Sequence, residues 1–358
     1  MNVFITGGTG FIGSRVLQKL VQRGDRVRAL VRSVPGAELV RAMGAEPVMG
    51  DLNDRAALRQ GMQGCDLVFH IAGWYKIGSP HPEQAEIVNV EGTRSVLTTA
   101  FELGVPRIVY TSTIAVFGDT RGRLVDESYH MPPTESFLSA YDRTKYRAHY
   151  EVAVPLIRQG APLIIVQPGA VYGPGDPSLV GQLMRLYHHG LLPVLPGPEL
   201  TLTYAHVEDV AEGHILAADR GRIGESYILA GPVYRLDEMA QIWAQVTGRQ
   251  PPRYAVPARK VKRLIPLVAA LRRVIPLPDL ISPESIRILG ASYIARPDKA
   301  VRELGWQVTD IYEGMRLTFR SYGRPALRLP EKPHQQAGLI LALAAVLMLA
   351  WQLSRRRR

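Results

Sequence analysis

Tyr141 and Lys145 are separated by four positions in the segment Tyr-Asp-Arg-Thr-Lys, which is compatible with a helix. Side chains four positions apart lie on one face of a helix, so both can face the same crevice. A tyrosine with an ordinary pKa of about 10 is a poor base at neutral pH, but a nearby ammonium group stabilises the phenolate and lowers that pKa. The pair therefore predicts proton transfer to or from an oxygen on a substrate carbon.

Two hydroxyl side chains follow the apolar segment 107–111, which is typical of a buried strand. Thr113 is predicted to orient the same substrate oxygen from the side opposite Tyr141. Ser112 is the alternative donor. The predicted catalytic residues are therefore Tyr141, Lys145 and Thr113.

A glycine-rich turn, Thr6-Gly7-Gly8-Thr9-Gly10-Phe11-Ile12-Gly13, follows the first predicted strand and opens the first predicted helix. Glycines with this spacing permit a tight turn, let the backbone approach a pyrophosphate, and let the helix pack closely on the sheet. The turn therefore predicts a dinucleotide site. Its expected contacts with the cofactor are Gly7, Gly10, Phe11, Ile12 and Gly13.

Further cofactor contacts are predicted at the ends of later strands. Asp51 and Leu52 follow the third strand, where a carboxylate can accept a hydrogen bond from an adenine amino group. Ala72 belongs to the small-residue segment that ends the fourth strand, where backbone can run along ribose and diphosphate. Lys145 is expected to hold the ribose, and Pro168 completes the predicted contacts.

Arg32 follows the second predicted strand, where an enzyme specific for NAD often has an acidic residue on the ribose 2′-hydroxyl. A guanidinium group can instead pair with a 2′-phosphate through charge-assisted hydrogen bonds. The sequence thus favours NADP, with NAD as the alternative.

Apolar strands alternate with longer amphipathic segments through the first 170 residues, which predicts a doubly wound α/β fold with a parallel sheet. A dinucleotide-binding Rossmann domain is predicted over 1–168, with 203–231 returning to it. The proline-punctuated segment 169–202 and the segment 232–324 are assigned to a smaller substrate lobe. A linker (325–336) and an apolar helix (337–353) follow.

The segment 337–353 has 17 residues without a charge and precedes Ser354 and four arginines. At a rise of about 1.5 Å per residue it reaches about 25 Å, the short end of a membrane span. The expectation is a membrane-associated protein with its catalytic domain in the cytoplasm. Insertion into one leaflet and docking on protein are the alternatives to a full span.

The net charge of +11 favours acidic lipid surfaces or phosphate-bearing ligands as partners. The basic residues are dispersed and no nucleic-acid motif is present, so nucleic acid is not an expected partner. Cys65 is the one cysteine, which excludes an internal disulfide. His188 and His189 lack a cluster of further ligands in the sequence, so no metal site is predicted. His70 is interpreted as a residue that packs or that supports the site indirectly, and not as a catalytic residue.

These motifs, in this order, resemble those of extended short-chain dehydrogenases/reductases. The resemblance covers about residues 1–320 and includes Asn89-Val90-Glu91-Gly92-Thr93, Thr111-Ser112-Thr113, the segment from Gln167 to Pro174, the segment from His206 to Ala211, and the segment from Lys299 to Trp306. The segment Gly221–Leu229 is most similar to the branch that contains dihydroflavonol-reductase-like, 3β-hydroxysteroid-dehydrogenase-like and hopanoid-associated sugar epimerase proteins. Ile114-Ala115 replaces the Asp-Glu pair of sugar-nucleotide dehydratases, and Gln167 stands where many sugar-nucleotide enzymes have arginine.

The residues and the resemblance together imply an NAD(P)-dependent oxidoreductase that moves a hydride between its cofactor and a carbonyl or secondary alcohol. A small, lipophilic substrate is favoured because the substrate lobe is rich in Leu, Ile and Pro. A sugar-nucleotide epimerase with tightly bound NAD and a non-catalytic dinucleotide sensor are the alternative interpretations. The identity of the substrate and the oligomeric state, including a homodimer, stay open.

Overall fold

The computed structural model describes residues 1–132 and 136–323 of the chain. The predicted linker (325–336) and the predicted apolar helix (337–353) lie outside the described residues. Within the two described ranges, no helix combines the length and the apolar composition needed to cross a bilayer.

The described residues contain thirteen strands, which form one large sheet and two small ones. The strands are β1 (Asn2–Thr6), β2 (Arg26–Val31), β3 (Glu46–Met49), β4 (Leu67–His70), β5 (Ile108–Thr111), β6 (Leu163–Pro168), β7 (Ala170–Tyr172), β8 (Val194–Pro196), β9 (Thr201–His206), β10 (Ser226–Leu229), β11 (Val233–Arg235), β12 (Tyr254–Val256) and β13 (Ser292–Tyr293). Seven of them build the large sheet in the order β10-β6-β5-β4-β1-β2-β3. Every neighbouring pair in this sheet is parallel, which confirms the predicted α/β class.

Helices connect these strands and cover both faces of the large sheet. They are α1 (Gly13–Gln22), α2 (Val34–Ala42), α3 (Arg55–Met62), α4 (Glu83–Glu86), α5 (Thr93–Glu102), α6 (Ala140–Arg147), α7 (Val154–Arg158), α8 (Leu179–His188), α9 (Val207–Arg220), α10 (Leu236–Thr247), α11 (Ala258–Lys262), α12 (Ile265–Leu271), α13 (Pro283–Ile288) and α14 (Ile311–Ser321). Shorter π-helical segments occupy Ile87–Gly92, Ala148–Ala153 and Ala300–Leu304, and a 3₁₀ turn occupies Ile114–Phe117.

Alternate side chains of β1 enter two different hydrophobic cores. Val3 and Ile5 pack in the core that contains residues of α1 and α9, whereas Phe4 packs on the other face with Leu58 of α3. A parallel sheet buried on both faces requires such continuous apolar strands, because successive side chains point to opposite sides. Both cores hold the strands in place, and because the strands are parallel, their carboxyl ends lie together at one edge of the sheet.

A second part of the chain packs beyond that edge around a four-stranded sheet. β9 pairs with β7, β11 and β13, and β8 pairs with β12. Within the range 203–231, α9 packs against α1 and β10 joins the large sheet, while β9 belongs to the small sheet. We propose the two-lobe division on this basis, with β9 as the strand at which the lobes meet.

Candidate active site

The glycine turn brings the ends of β1 and β4 into close contact. Gly7 has φ +77°, and a Cβ atom built on it would lie 2.6 Å from the backbone nitrogen of Ala72. A Cβ atom on Gly13 would lie 2.1 Å from the carbonyl oxygen of Gly7. Only glycine fits at these two positions, and the first turn of α1 is held directly above the sheet edge. The turn fits a dinucleotide, since backbone N–H groups at a helix N-terminus bind phosphate.

One cavity of about 790 Å³ extends from the glycine turn into the second lobe. It brings together every residue that the sequence predicts for the site: Gly7, Gly10, Phe11, Ile12, Gly13, Arg32, Asp51, Leu52, Ala72, Thr113, Tyr141, Lys145 and Pro168. These residues come from seven separate segments of the chain. Parallel strands bring them together because their carboxyl ends share one edge.

The end of the cavity at β2 and β3 has the polar groups expected around an adenosine. Arg32 is exposed directly after β2, and Ser33 accepts a hydrogen bond from Gly36 N at the start of α2. One carboxylate oxygen of Asp51 accepts from Asn53 N at 2.7 Å, which fixes the side chain on its loop. Asn53 also lines this end of the cavity, although the sequence motifs do not single it out.

Tyr141 and Thr113 meet in the middle of the cavity. Ser139 caps α6 by accepting a hydrogen bond from Asp142 N, and this places Tyr141 in the first turn of the helix. Thr113 Oγ1 accepts from Ala115 N at 3.1 Å. Loss of water raises the pKa of Tyr141, and a hydrogen bond with the Thr113 hydroxyl opposes that rise in part. Tyr141 is therefore a protonated phenol at neutral pH and is suited to donate a proton.

Lys145 is buried on the same helix. Its Nζ donates to the carbonyl oxygen of Thr111 at 2.7 Å and to the hydroxyl of Tyr110 at 3.3 Å. Burial lowers the pKa of Lys145 to about 7. The sequence predicted that this ammonium group lowers the pKa of Tyr141. In the structure, desolvation is the larger effect and raises the pKa of Tyr141.

The two hydroxyl groups considered as donors have different partners. Ser112 Oγ lies 2.8 Å from Nδ1 of His149 in a buried hydrogen bond, whereas the Thr113 hydroxyl interacts with Tyr141 and opposes the rise of its pKa. Of the two hydroxyl groups, only that of Ser112 is engaged by a histidine, and that of Thr113 is the one next to Tyr141. His70 is fully buried, and its two ring nitrogens lie 2.8 Å and 2.9 Å from the hydroxyl groups of Thr6 and Thr93.

Asp142 and Tyr293 form a buried pair on the cavity wall that sequence reasoning missed. The Tyr293 hydroxyl donates to Oδ2 of Asp142 at 3.0 Å. Burial raises the pKa of Asp142 to about 7, and the negative charge of Glu284 adds to that rise. Because 151 positions separate the two partners, no local pattern could have revealed the contact.

A π-helical segment holds the loop that follows β4. Asn89, on Ile87–Gly92, accepts from Trp74 N at 2.7 Å and donates to Trp74 O at 3.1 Å, while its amide also donates to Thr144 at 3.0 Å. One side chain therefore ties the cavity loop to α6. The π turn lies between α4 and α5, and such turns often occur at functional sites.

The end of the cavity in the second lobe is largely apolar. Successive side chains of a strand alternate between its faces, so Leu202 and Tyr204 of β9 face the cavity together with the preceding Leu200. Other residues on this wall are Tyr75, Ile77, Leu179, Val180, Ile288 and Tyr293. Motif matching missed this wall because it is formed by residues whose types are ordinary for a core.

Among the described residues, no group of three or more His, Cys, Asp or Glu side chains is placed to hold a metal ion. Helix α9 starts directly after His206, and Asp209 accepts from Thr309 N and Oγ1 at 2.7 Å each. These contacts give Asp209 a structural role at the helix start.

The parallel sheet, the glycine turn and the Tyr141/Lys145 helix define a Rossmann-fold oxidoreductase of the extended short-chain dehydrogenase/reductase class. The chain belongs to the 3-beta hydroxysteroid dehydrogenase/isomerase family, whose model matches residues 4–234. The resemblance found in the sequence motifs is thereby confirmed.

Two curated relatives cover most of the chain. One is the 4-hydroxy-2-methyl-3-oxo-4-farnesyl-3,4-dihydroquinoline-1-oxide ketoreductase of Stigmatella aurantiaca, 34% identical over 86% of this chain and 92% of that protein. The other is the sterol demethylase protein B of Methylococcus capsulatus, 31% identical over 85% of this chain and 93% of that protein.

Solved structures share the fold. The crystal structure of gox2253 has a TM-score of 0.78 and 34% identity, and the match covers 91% of this chain and 99% of that one. A UDP-glucuronic acid 4-epimerase from Bacillus cereus, solved with NAD, has a TM-score of 0.71 at 16% identity over 90% of this chain and 98% of that one. The latter likeness concerns the fold alone.

Proposed function

We propose that this protein is an NADP(H)-dependent reductase or dehydrogenase that acts on a carbonyl or secondary alcohol of a lipophilic small molecule. The observation that carries the proposal is the position of Tyr141 and Thr113 within a single cavity. The glycine turn lines one end of that cavity and an apolar wall lines the other. A reacting oxygen at the two hydroxyl groups would therefore lie between cofactor and substrate.

Each side chain of the site has its own role in carbonyl reduction. When bound, the cofactor supplies the hydride. Thr113 orients the carbonyl oxygen, and Tyr141, held as a phenol by its raised pKa, donates the proton that this oxygen needs. Lys145 holds the ribose and supplies positive charge beside it, while the apolar wall excludes water. The reverse reaction uses the same groups in the opposite direction.

The wall of the second lobe supports a lipophilic substrate. Leu200, Leu202 and Ile288 have no polar side-chain atoms, so hydroxyl groups of a sugar nucleotide placed against these residues would lack partners. The printed name of the Stigmatella aurantiaca relative, a ketoreductase acting on a farnesyl-bearing quinoline, agrees with this choice.

The preference for NADP rests on Arg32. It is exposed at the end of β2, and no ion pair joins it to a carboxylate in the described ranges, so its guanidinium group is available for a 2′-phosphate. An acidic residue at this position would repel that phosphate.

The decisive experiment is to purify the protein without added nucleotide, denature it, and identify any dinucleotide released. NADPH and NADH binding to the protein as purified is then measured, followed by NADPH oxidation with a panel of cyclic and isoprenoid ketones. Empty protein that binds NADPH reversibly and reduces a ketone supports the proposal. Stoichiometric NAD that resists exchange would contradict it and indicate an epimerase. Reversible binding without turnover on any carbonyl would indicate a sensor.

A further inference from the structure

A strongly basic segment lies between α10 and α13. From residue 239 to residue 278 the chain has no acidic residue, and it has eight lysines and arginines. Helices α11 and α12 and the turn that follows them form the exposed part of this segment. We call the part from Pro257 to Pro276 the α11–α12 surface.

An apolar ridge runs along the outer side of this surface. Leu267, Leu271 and Val274 are 57%, 39% and 83% exposed, and they follow one another at intervals of four and three residues. That spacing places them on one side of a helical turn. The opposite side of the helix already packs in a hydrophobic core, because Val268 is buried there together with Ile286. The ridge is therefore a second apolar face that the described residues leave uncovered.

Basic residues flank the ridge in the sequence. Arg259, Lys262, Arg263 and Arg273 are exposed, and none of them is within ion-pair distance of a carboxylate in the described part of the chain. Arg272 differs, since it pairs with Asp279 at 3.3 Å. The surface therefore carries four exposed cations that the described carboxylates do not neutralise.

The surface adjoins the rim of the substrate cavity. Arg272 donates to the carbonyl oxygen of Gly78 at 2.7 Å, and Gly78 N donates to Glu284 at 2.8 Å. Gly78 directly follows the cavity-lining residues Trp74 to Ile77, and Tyr75 on that loop is itself 43% exposed. Whatever covers the α11–α12 surface would therefore also lie beside the cavity rim.

We propose that the α11–α12 surface docks on a membrane that contains acidic phospholipids. Basic side chains beside exposed Leu and Val are typical of segments that lie in the headgroup region with their apolar face at the acyl boundary. The occupant must match both features, and an acidic bilayer surface offers negative headgroups above an apolar layer. Nucleic acid would match the charges but leave the ridge in water. This docking is separate from the segment 337–353 and from the proposed reaction.

The experiment reports on the ridge itself and does not depend on turnover. Leu271→Cys is introduced into the full chain together with Cys65→Ala, and the new thiol carries an environment-sensitive fluorophore. The matched control carries the same label at Leu39→Cys, a 47% exposed position on α2. Vesicles of phosphatidylcholine, alone or mixed equally with phosphatidylserine, are added, and quenching by acrylamide is measured.

With phosphatidylserine vesicles, the label at 271 should shift to the blue and become shielded from acrylamide, while the label at 39 should stay accessible. Phosphatidylcholine alone should have little effect. A chain that floats with vesicles while the label at 271 stays accessible would overturn the proposal and indicate attachment through another segment. A chain that binds no vesicles would also overturn it, as would a label at 271 that is shielded in their absence, which would indicate self-association.

A charge variant tests the second feature. Lys262→Gln with Arg263→Gln should raise the lipid concentration needed for half of the fluorescence shift by about fivefold per charge, or about 25-fold in total. The control pair Arg41→Gln and Arg158→Gln removes two exposed charges from the other lobe and should leave that concentration unchanged. Equal effects of the two pairs would show that only the overall net charge matters and would refute a specific surface.

Discussion

The hydroxyl of Tyr293 donates a 3.0 Å hydrogen bond to the carboxylate of Asp142, the residue that directly follows Tyr141 in α6. The bond joins the small sheet of the second lobe to the helix that carries the catalytic pair. Both partners are buried and line the same cavity. The position of Tyr141 is therefore tied to the substrate lobe as well as to the Rossmann sheet.

Asp142 should make the stability of the protein depend on pH. Burial raises its pKa from 3.8 to about 7, so the folded protein binds this proton more tightly than the unfolded chain does. The resulting stabilisation is fully present below about pH 4 and is lost as the pH rises through about 7, with an upper limit of about 4 kcal/mol. Asp142→Asn should remove this loss. The free energy of unfolding in urea, measured on both sides of this window, checks it.

The exposed Glu38→Gln substitution is the control for that measurement, and it should keep the pH dependence of the unsubstituted protein. If the free energy of unfolding of Asp142→Asn depended on pH as it does in the unsubstituted protein, the buried carboxyl group of Asp142 would already be ionised in the folded state near pH 5.

Tyr141→Phe should abolish most of the turnover, by about 10²-fold to 10⁴-fold, because the proton donor is removed. Binding of NADPH should be retained, since the phenol hydroxyl contacts Thr113 and faces the substrate side. The comparison variant is Tyr146→Phe on the same helix, which does not line the cavity. Steady-state kinetics and fluorescence titration separate the two effects. Full activity in Tyr141→Phe would remove this residue from the mechanism.

Thr113→Val and Ser112→Ala should have different consequences. Loss of the Thr113 hydroxyl should lower kcat by about tenfold to a hundredfold, because the substrate oxygen loses an orienting donor. Loss of the Ser112 hydroxyl leaves buried His149 without its partner and should mainly lower the stability, by about 1–3 kcal/mol. Thermal unfolding and kinetics on both variants test this division. The opposite pattern would assign the catalytic hydroxyl to Ser112.

Arg32→Asp should raise the dissociation constant of NADPH by about tenfold to a hundredfold, since a charge-assisted contact with the 2′-phosphate is replaced by repulsion. The dissociation constant of NADH should change little. Arg41→Asp on α2 makes the same change of charge away from the cavity and is the matched control. Equal effects of Arg32→Asp on both nucleotides would refute the proposed role.

Local sequence patterns were sufficient for the large sheet and for the cofactor end of the cavity. The predicted alternation of apolar strands with amphipathic segments agrees with the structure, because hydrophobic periodicity and flanking glycines act over short distances. The glycine turn could likewise be predicted from the sequence. The backbone atoms that leave room only for glycine at Gly7 and Gly13 are either near in the sequence or placed there by the fold class.

Tertiary structure alone decided the features that depend on contacts between distant segments. It separated Thr113 from Ser112 through the bond to His149, and it raised the pKa of Tyr141, where the sequence had suggested a lowered one. It also paired Asp142 with Tyr293, and it left the apolar ridge uncovered by the described residues. Residue types and spacing determine which groups are available, but desolvation and pairing depend on which segments pack together, and that is a property of the folded chain.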